Sequence, residues 1–291
     1  MPVSAQTGIT LREATVADAP VCGEICYRAF STINAEHNFP SDLPNAEVAI
    51  GLLTMIFGHP GFYCVVAERG GQIIGSNCLD ERSIIAGIGP ITVDPSVQNR
   101  GVGRELMRAV MDRARERGAP GIRLVQAAFH NRSLALYTRL GFDIREPLAC
   151  VQGRPVQRSV AGCAVRPAQT ADLKACNALS LQVHGFERGR ELADGIQQKS
   201  AVVVERDGRI TGYASSLAFF GHATAETNVD LQALIASAEG FGGPGILLPS
   251  RNTTVLRWCL GNGLHIVQPM TLMSMGLYNE PDGAWMASVS F

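Results

Sequence analysis

Ile84-Ile85-Ala86-Gly87-Ile88-Gly89-Pro90-Ile91-Thr92-Val93, followed by Asp94-Pro95-Ser96-Val97 and then Gln98-Asn99-Arg100-Gly101-Val102-Gly103-Arg104, is the stretch whose reading decides the fold. The apolar run reads as a central strand, except that it carries two glycines and a proline. Proline cannot donate to a ladder, and strand glycines mark bulges or places of close backbone approach, so pairing is expected to fail locally there. Asp94 to Val97 is a turn. Glu105 to Arg117 then reads as a helix, with Leu106, Val110 and Ala114 on one face, basic residues over much of the rest, and Gly118 as its end. The glycines therefore open a helix. Its first amides lack intrahelical partners and sit at the positive end of the dipole, while Gly101 and Gly103 let a ligand lie against the backbone. Such a helix start is a cradle for a pyrophosphate.

Working outward, the same order of elements occurs twice. Leu11-Arg12-Glu13-Ala14-Thr15-Val16-Ala17-Asp18 is echoed by Val165-Arg166-Pro167-Ala168-Gln169-Thr170-Ala171-Asp172, each a strand, a turn and a helix starting near the Asp. Val65 to Gly75 is echoed by Val202 to Gly212, each a hairpin with a glycine-containing turn. Asn131 to Phe142 is matched more loosely by Asn252 to Leu264, with Gly141 and Gly263 placed as C-caps. Three echoes in one order favour duplication over two unrelated α+β halves. The boundary is expected in Gln152 to Gly162, which gives domains at 1–152 and 162–291.

The central stretch resembles the signature of the GNAT acetyltransferases, in which Gln or Arg, two residues, Gly, one residue, and Gly or Ala follow a splayed strand; Gln98, Gly101 and Gly103 fit it. Asn131-Arg132-Ser133-Leu134-Ala135-Leu136-Tyr137-Thr138-Arg139-Leu140-Gly141-Phe142 resembles the family's Asn, Tyr and Gly-Phe segment. The resemblance covers roughly Ile9 to Ala149, and the second half is more weakly similar to the accessory domain of tandem bacterial members. It implies an α/β (α+β) chain of two tandem GNAT-like domains, each a mixed, largely antiparallel sheet with a splayed strand pair flanked by helices.

The resemblance also implies a function: transfer of an acetyl group from acetyl-CoA to an amine, small-molecule or peptide, by direct attack within a ternary complex. The cofactor would lie where the strand Ile88 to Val93 parts from Ile122 to Ala127, with contacts from Ile91, Thr92 and Val93. Its pyrophosphate would meet Gln98, Asn99, Arg100, Gly101, Val102, Gly103 and Arg104. Asn131 would touch it near the same opening, though a plain N-cap for a helix Arg132 to Leu140 is the other reading. Tyr137 matches the family's general acid, and a phenol near pKa 10 stays protonated at neutral pH. A general base is not legible; Glu36, His37, Asp80, Glu81 and His130 are candidates, and Phe30 to Met55 is expected to shape the acceptor funnel. A catalytically silent acyl-CoA-binding module is the alternative from another class, and a protein-modifying enzyme remains open.

Composition supports a globular chain. Of 291 residues, 46% are hydrophobic and 18% charged, and the net charge is -1, which argues against a polyanion such as nucleic acid as partner. Eight scattered cysteines, only Cys22 and Cys26 close together, suggest core thiols in a reducing cytoplasm rather than zinc. The first ten residues lack a charged head and an apolar core, and no apolar run approaches the ~18 residues of a membrane span. A homodimer is compatible with the sequence. No P-loop occurs, and Gly240-Phe241-Gly242-Gly243-Pro244-Gly245 lies in a helix-to-strand order that the dinucleotide fingerprint forbids. The second half has no Gln-x-x-Gly-x-Gly, and Trp258 and Cys259 stand near the position of Tyr137, so it is expected to be non-catalytic.

Overall fold

A computed structural model describes residues 8–290 of the chain, which divide into two compact units. The first comprises the described residues up to Glu81 with Ala86–Ile122; the second comprises Arg82–Ile85 with the chain from Arg123 onward.

In the first unit, β1 (Thr10–Glu13) leads through a 3-10 turn into α1 (Ala19–Glu36), followed by α2 (Ala46–Gly58), β2 (Phe62–Arg69) and β3 (Gln72–Asp80). The expected hairpin is present, with Gly70 and Gly71 both at positive φ between β2 and β3, the combination a two-residue turn needs. The helices pack closely because Gly23 has no Cβ: one built there would stand 2.6 Å from Ile50 Cα. Their apolar faces bury Ala19, Cys22, Cys26, Ala49, Leu53 and Ile56 against Cys64, Val66 and Cys78 of the sheet. Asp18 differs from expectation. Its carboxylate does not cap α1 but accepts from Arg12 and from the Thr15 backbone and hydroxyl, closing the 3-10 turn instead.

The apolar run of the central stretch is two strands, β4 (Ile85–Ile88) and β5 (Thr92–Val93), both against β3. Leu79 faces Ile88, but Ser76 faces Thr92, so three residues, Gly89 to Ile91, stand opposite Asn77 and Cys78. This is the bulge that the glycine and proline require, and the Gly89-Pro90 peptide is cis. Helix α3 (Val102–Glu116) follows and buries Leu106, Met107, Val110 and Ala114. It begins three residues earlier than expected, because Gly101 itself serves as the N-cap.

The second unit starts within β6 (Gly121–Ala127), then α4 (Asn131–Arg139), β7 (Asp143–Gln152), β8 (Ala164–Pro167), α5 (Leu173–His184) and α6 (Gly189–Gln197). It continues with β9 (Val202–Arg206), β10 (Arg209–Ala214), β11 (Ala223–Ala225), α7 (Asn228–Ala236), β12 (Ile246–Pro249), α8 (Thr253–Gly261), β13 (His265–Gly276) and β14 (Ala284–Met286). One sheet runs β14-β11-β10-β9-β8. The strands β6-β13-β7-β12 run side by side in the other, so β7 of the first repeat lies between two strands of the second.

The duplication is visible in side chains. Arg12 grips Asp18 at 2.8 Å and Glu68 at 2.8 Å; Arg166 grips Asp172 at 2.7 Å and Glu205 at 2.7 Å. Gly141 and Gly263 both follow their helices at positive φ, and Phe142 and Leu264 donate back to Tyr137 and Cys259 in the same pattern. The overall architecture is mixed α/β, with largely antiparallel sheets flanked by helices.

Candidate active site

In the first unit the central stretch forms a compact turn before α3. Asp94 accepts from the Ser96 amide (2.9 Å) and hydroxyl (2.8 Å), and Arg28 donates to its other oxygen at 2.9 Å. Burial acts to raise the Asp94 pKa, but Ser96 and Arg28 outweigh it and hold the carboxyl below its ordinary range. Gln98 donates from Nε2 to the Val93 carbonyl at 3.2 Å, so its side chain closes the turn. Asn99 (φ 65) and Gly101 (φ 88) take left-handed conformations that swing the chain into the helix.

Gly101 offers no side chain to cap α3. The Arg104 and Glu105 amides already bond back to the Gly101 carbonyl, at 3.0 and 3.2 Å. Helix geometry leaves the preceding amides, up to Gly103, without an intrahelical acceptor. A Cβ at Gly101 would meet nothing within 4 Å, so the approach to these amides is open. Arg100 and Arg104 are exposed beside them, while Val102 is buried and fixes the helix start. Thus Ile91, Thr92 and Val93 on one side and Gln98 to Arg104 on the other lie within one unit, and Thr92 is tied by its hydroxyl to Ser76 at 3.4 Å.

Tyr137 and Asn131 belong to the second unit. Tyr137 is buried, edge-on to Phe142 at 6.3 Å, and burial alone lifts its pKa well above the ordinary phenol value. Asn131 is exposed and is the first residue of α4, with His130 as the N-cap. The plain N-cap reading of Asn131, and a helix from Arg132 to Leu140, are therefore corrected: the helix spans Asn131–Arg139, and the Ser133 and Leu134 amides return to the His130 carbonyl.

Among the base candidates, Glu81 is held by Arg113 at 2.9 Å and Arg117 at 3.2 Å, which commits it to an ion pair. His37 places Nδ1 3.0 Å from the Ile33 carbonyl at the end of α1, and Glu36 is exposed. The loop expected at Phe39 to Pro44 separates α1 from α2.

The corresponding helix start in the second repeat is closed. Asp230, in the first turn of α7, accepts from the Thr227 amide at 3.1 Å and hydroxyl at 2.5 Å, from Thr211 at 2.7 Å and from Arg206 at 3.0 Å. A fixed carboxylate occupies the ground that an anion would need. Cys259 is fully buried at the place matching Tyr137.

Sequence reasoning missed a polar cluster in the second unit. Arg123 in β6 lies between the rings of Phe186 (4.8 Å) and Tyr278 (5.0 Å), and burial, reinforced by Arg188 and Arg145, lowers its pKa to about 10. Glu146 in β7 is 3% exposed. The available signal was a charged residue inside an otherwise apolar strand, at Arg123 and again at Glu146. Among the described residues no group of His, Cys, Asp and Glu could hold a metal, all eight cysteines are free, and no helix is long and apolar enough to cross a membrane.

Residues 28–142 match the acetyltransferase (GNAT) family model. The uncharacterized N-acetyltransferase YjgM of Escherichia coli (strain K12) is 25% identical over 139 residues, which is 46% of this chain and 81% of that protein. A solved structure from Pyrococcus horikoshii, provisionally designated an acetyltransferase, shares the fold with a TM-score of 0.74 at 19% identity, covering 97% of this chain and 96% of that one. A GCN5-related N-acetyltransferase from Sphaerobacter thermophilus gives 0.62 at 14% identity, covering 97% and 98%. The chain belongs to the GNAT acetyltransferase superfamily and is an acyltransferase, with its family match lying in residues 28–142.

Proposed function

We propose that the protein transfers an acetyl group from acetyl-CoA to an amine by direct attack, using one site assembled around the central stretch. The observation that carries this reading is the uncapped, glycine-opened start of α3, an open row of amides behind a bulged strand. Those residues fit a pyrophosphate: Gln98 to Arg104 would hold it through backbone N–H groups, with Arg100 and Arg104 adding charge. Ile91, Thr92, Val93 and Asn131 complete the proposed set of cofactor contacts. When bound, the cofactor supplies an acetyl thioester with a thiolate leaving group.

Tyr137 is proposed to hold the proton that a departing thiolate takes up. Its burial weakens it as an acid, but the same dry surroundings raise thiols too: Cys22 and Cys26 are pushed up to about 12, mainly by burial. Desolvation disfavours both anions, so it need not open a gap against proton transfer. The second repeat is proposed to be catalytically silent, because Asp230 fills the helix start that would cradle phosphate. The domain boundary proposed between 152 and 162 follows the internal repeat.

The test is release of CoA thiol from acetyl-CoA across an amine library, with CoA affinity measured separately by calorimetry. Amine-dependent release, together with CoA binding that is lost on altering Gly101, is the expected result. CoA binding without release for any amine would instead favour an acyl-CoA-binding module.

A further inference from the structure

A carboxylate oxygen without a donor is the feature of the second unit that its fold does not explain. Glu146 lies in β7 opposite Leu272 of β13. Arg251 donates to it from Nε at 2.8 Å and from Nη2 at 2.5 Å, but both bonds fall on Oε2. Oε1 is sealed from solvent and has no hydrogen-bond partner among the described residues. An Arg and a carboxylate matched only to each other commonly engage fork to fork, one N–H on each oxygen. Here the inner oxygen is left over.

Tyr278 supplies an independent observation. Its hydroxyl is also buried and unpartnered among the described residues. Burial raises its pKa, and Glu280, Arg123, Glu146 and Arg251 are all near enough to act on it. The ring is pinned, with the Arg123 and Arg145 guanidinium carbons at 5.0 and 5.1 Å from its centroid. Arg145 is in turn anchored by Ser274 at 2.8 Å and Asp143 at 3.0 Å. A carboxylate oxygen only accepts hydrogen bonds, while a phenol can accept or donate. A compact cation with several N–H donors satisfies both atoms, whereas an anion would be repelled by Glu146 and an apolar group would leave both unmatched.

Resting on the N-acetyltransferase reading, we propose that the acceptor is a primary amine whose ammonium group binds Glu146 Oε1 and the Tyr278 hydroxyl, making Glu146 a specificity-determining residue. The full-length protein is assayed for CoA thiol release with acetyl-CoA and tyramine, putrescine, spermidine or an alanine-initiated tripeptide. The best acceptor is then carried into Glu146→Gln, Tyr278→Phe and Arg251→Ala. Losing a charge-assisted bond should raise the amine KM of Glu146→Gln about tenfold or more and leave the acetyl-CoA KM within about twofold, while Tyr278→Phe raises the amine KM roughly three- to fivefold. Arg251→Ala should move Tm more than the amine KM. The same amine should raise the Tm of the parent without cofactor and fail to do so for Glu146→Gln.

A folded Glu146→Gln protein with parental amine KM and parental thermal shift overturns the assignment while thiol release leaves the acetyltransferase reading standing. Absence of release with every amine, but a thermal shift that depends on Glu146, supports the amine site and overturns the activity. If Glu146→Gln fails to fold, Tyr278→Phe decides, and an unchanged amine KM there overturns the proposal.

Discussion

The Tyr137 hydroxyl and the His222 imidazole both sit in dry surroundings, and dryness gives them different work. For Tyr137 it keeps the phenol protonated far above neutral pH, so the group can give a proton but cannot serve as a base. Tyr137→Phe is expected to lower the maximal rate of thiol release about a hundredfold, the lower end for loss of a general acid, with little change in CoA affinity. His222 is fully buried among Tyr213, Ser215 and Glu191, and its Nδ1 stands 3.3 Å from a Glu191 carboxylate that Arg188 holds at 2.6 Å. Burial, then Arg188, drive the His222 pKa down to about 4, so the contact with Glu191 is a hydrogen bond from a neutral ring. An unfolded histidine titrates near 6.5, so the native state excludes a proton that the unfolded state binds. This contribution is complete above about pH 6.5, is lost as pH falls toward about 4, and amounts to roughly 3 kcal/mol. Urea unfolding at pH 7 and pH 5 should show the loss in the parent and a flatter dependence in His222→Gln.

Helix α3 shows how far a motif can be read and where reading stops. Its glycine start, the bulge at Gly89 to Ile91 and the αL position at Gly101 follow from local rules, because glycine and proline act on their own backbone and need no partner. The helix start was misplaced by three residues because Gly101, without a side chain, caps poorly by preference yet fits the conformation required there. Asp18 was misread for the opposite reason: an ideal capping residue had a stronger claim on it from Arg12. Gly101→Ala should cost about 1 kcal/mol through its left-handed backbone, since the methyl itself meets nothing. Gly101→Glu adds a like charge where the pyrophosphate is proposed to bind, so CoA affinity should fall at least about tenfold more than for Gly101→Ala at similar Tm. Calorimetric titration of both variants with CoA checks this, and equal affinities would sink the cradle.

At the scale of the molecule, the tandem repeat was legible in the echoes that begin at Leu11 and Val165, but its interlocking was not. Strand pairing between distant segments leaves no local trace, and nothing in Asp143 to Gln152 says which chain segments will flank it. The structure puts β7 between β12 and β13, with Leu148 facing Pro249 on one side and Met270 on the other. Leu148, Ala149, Cys150 and Val151 are buried there, and Cys150 and Val151 are completely so. A chain ending at Gln152 would therefore lose both neighbours of β7, exposing an apolar strand with two open edges. Residues 1–152 expressed alone should aggregate or remain unfolded by circular dichroism. Co-expression with residues 153–291 should restore a soluble complex, because the missing strands are then supplied in trans. A monomeric, cooperatively folded 1–152 fragment that binds CoA as tightly as the whole protein would show instead that the second repeat is dispensable to the first.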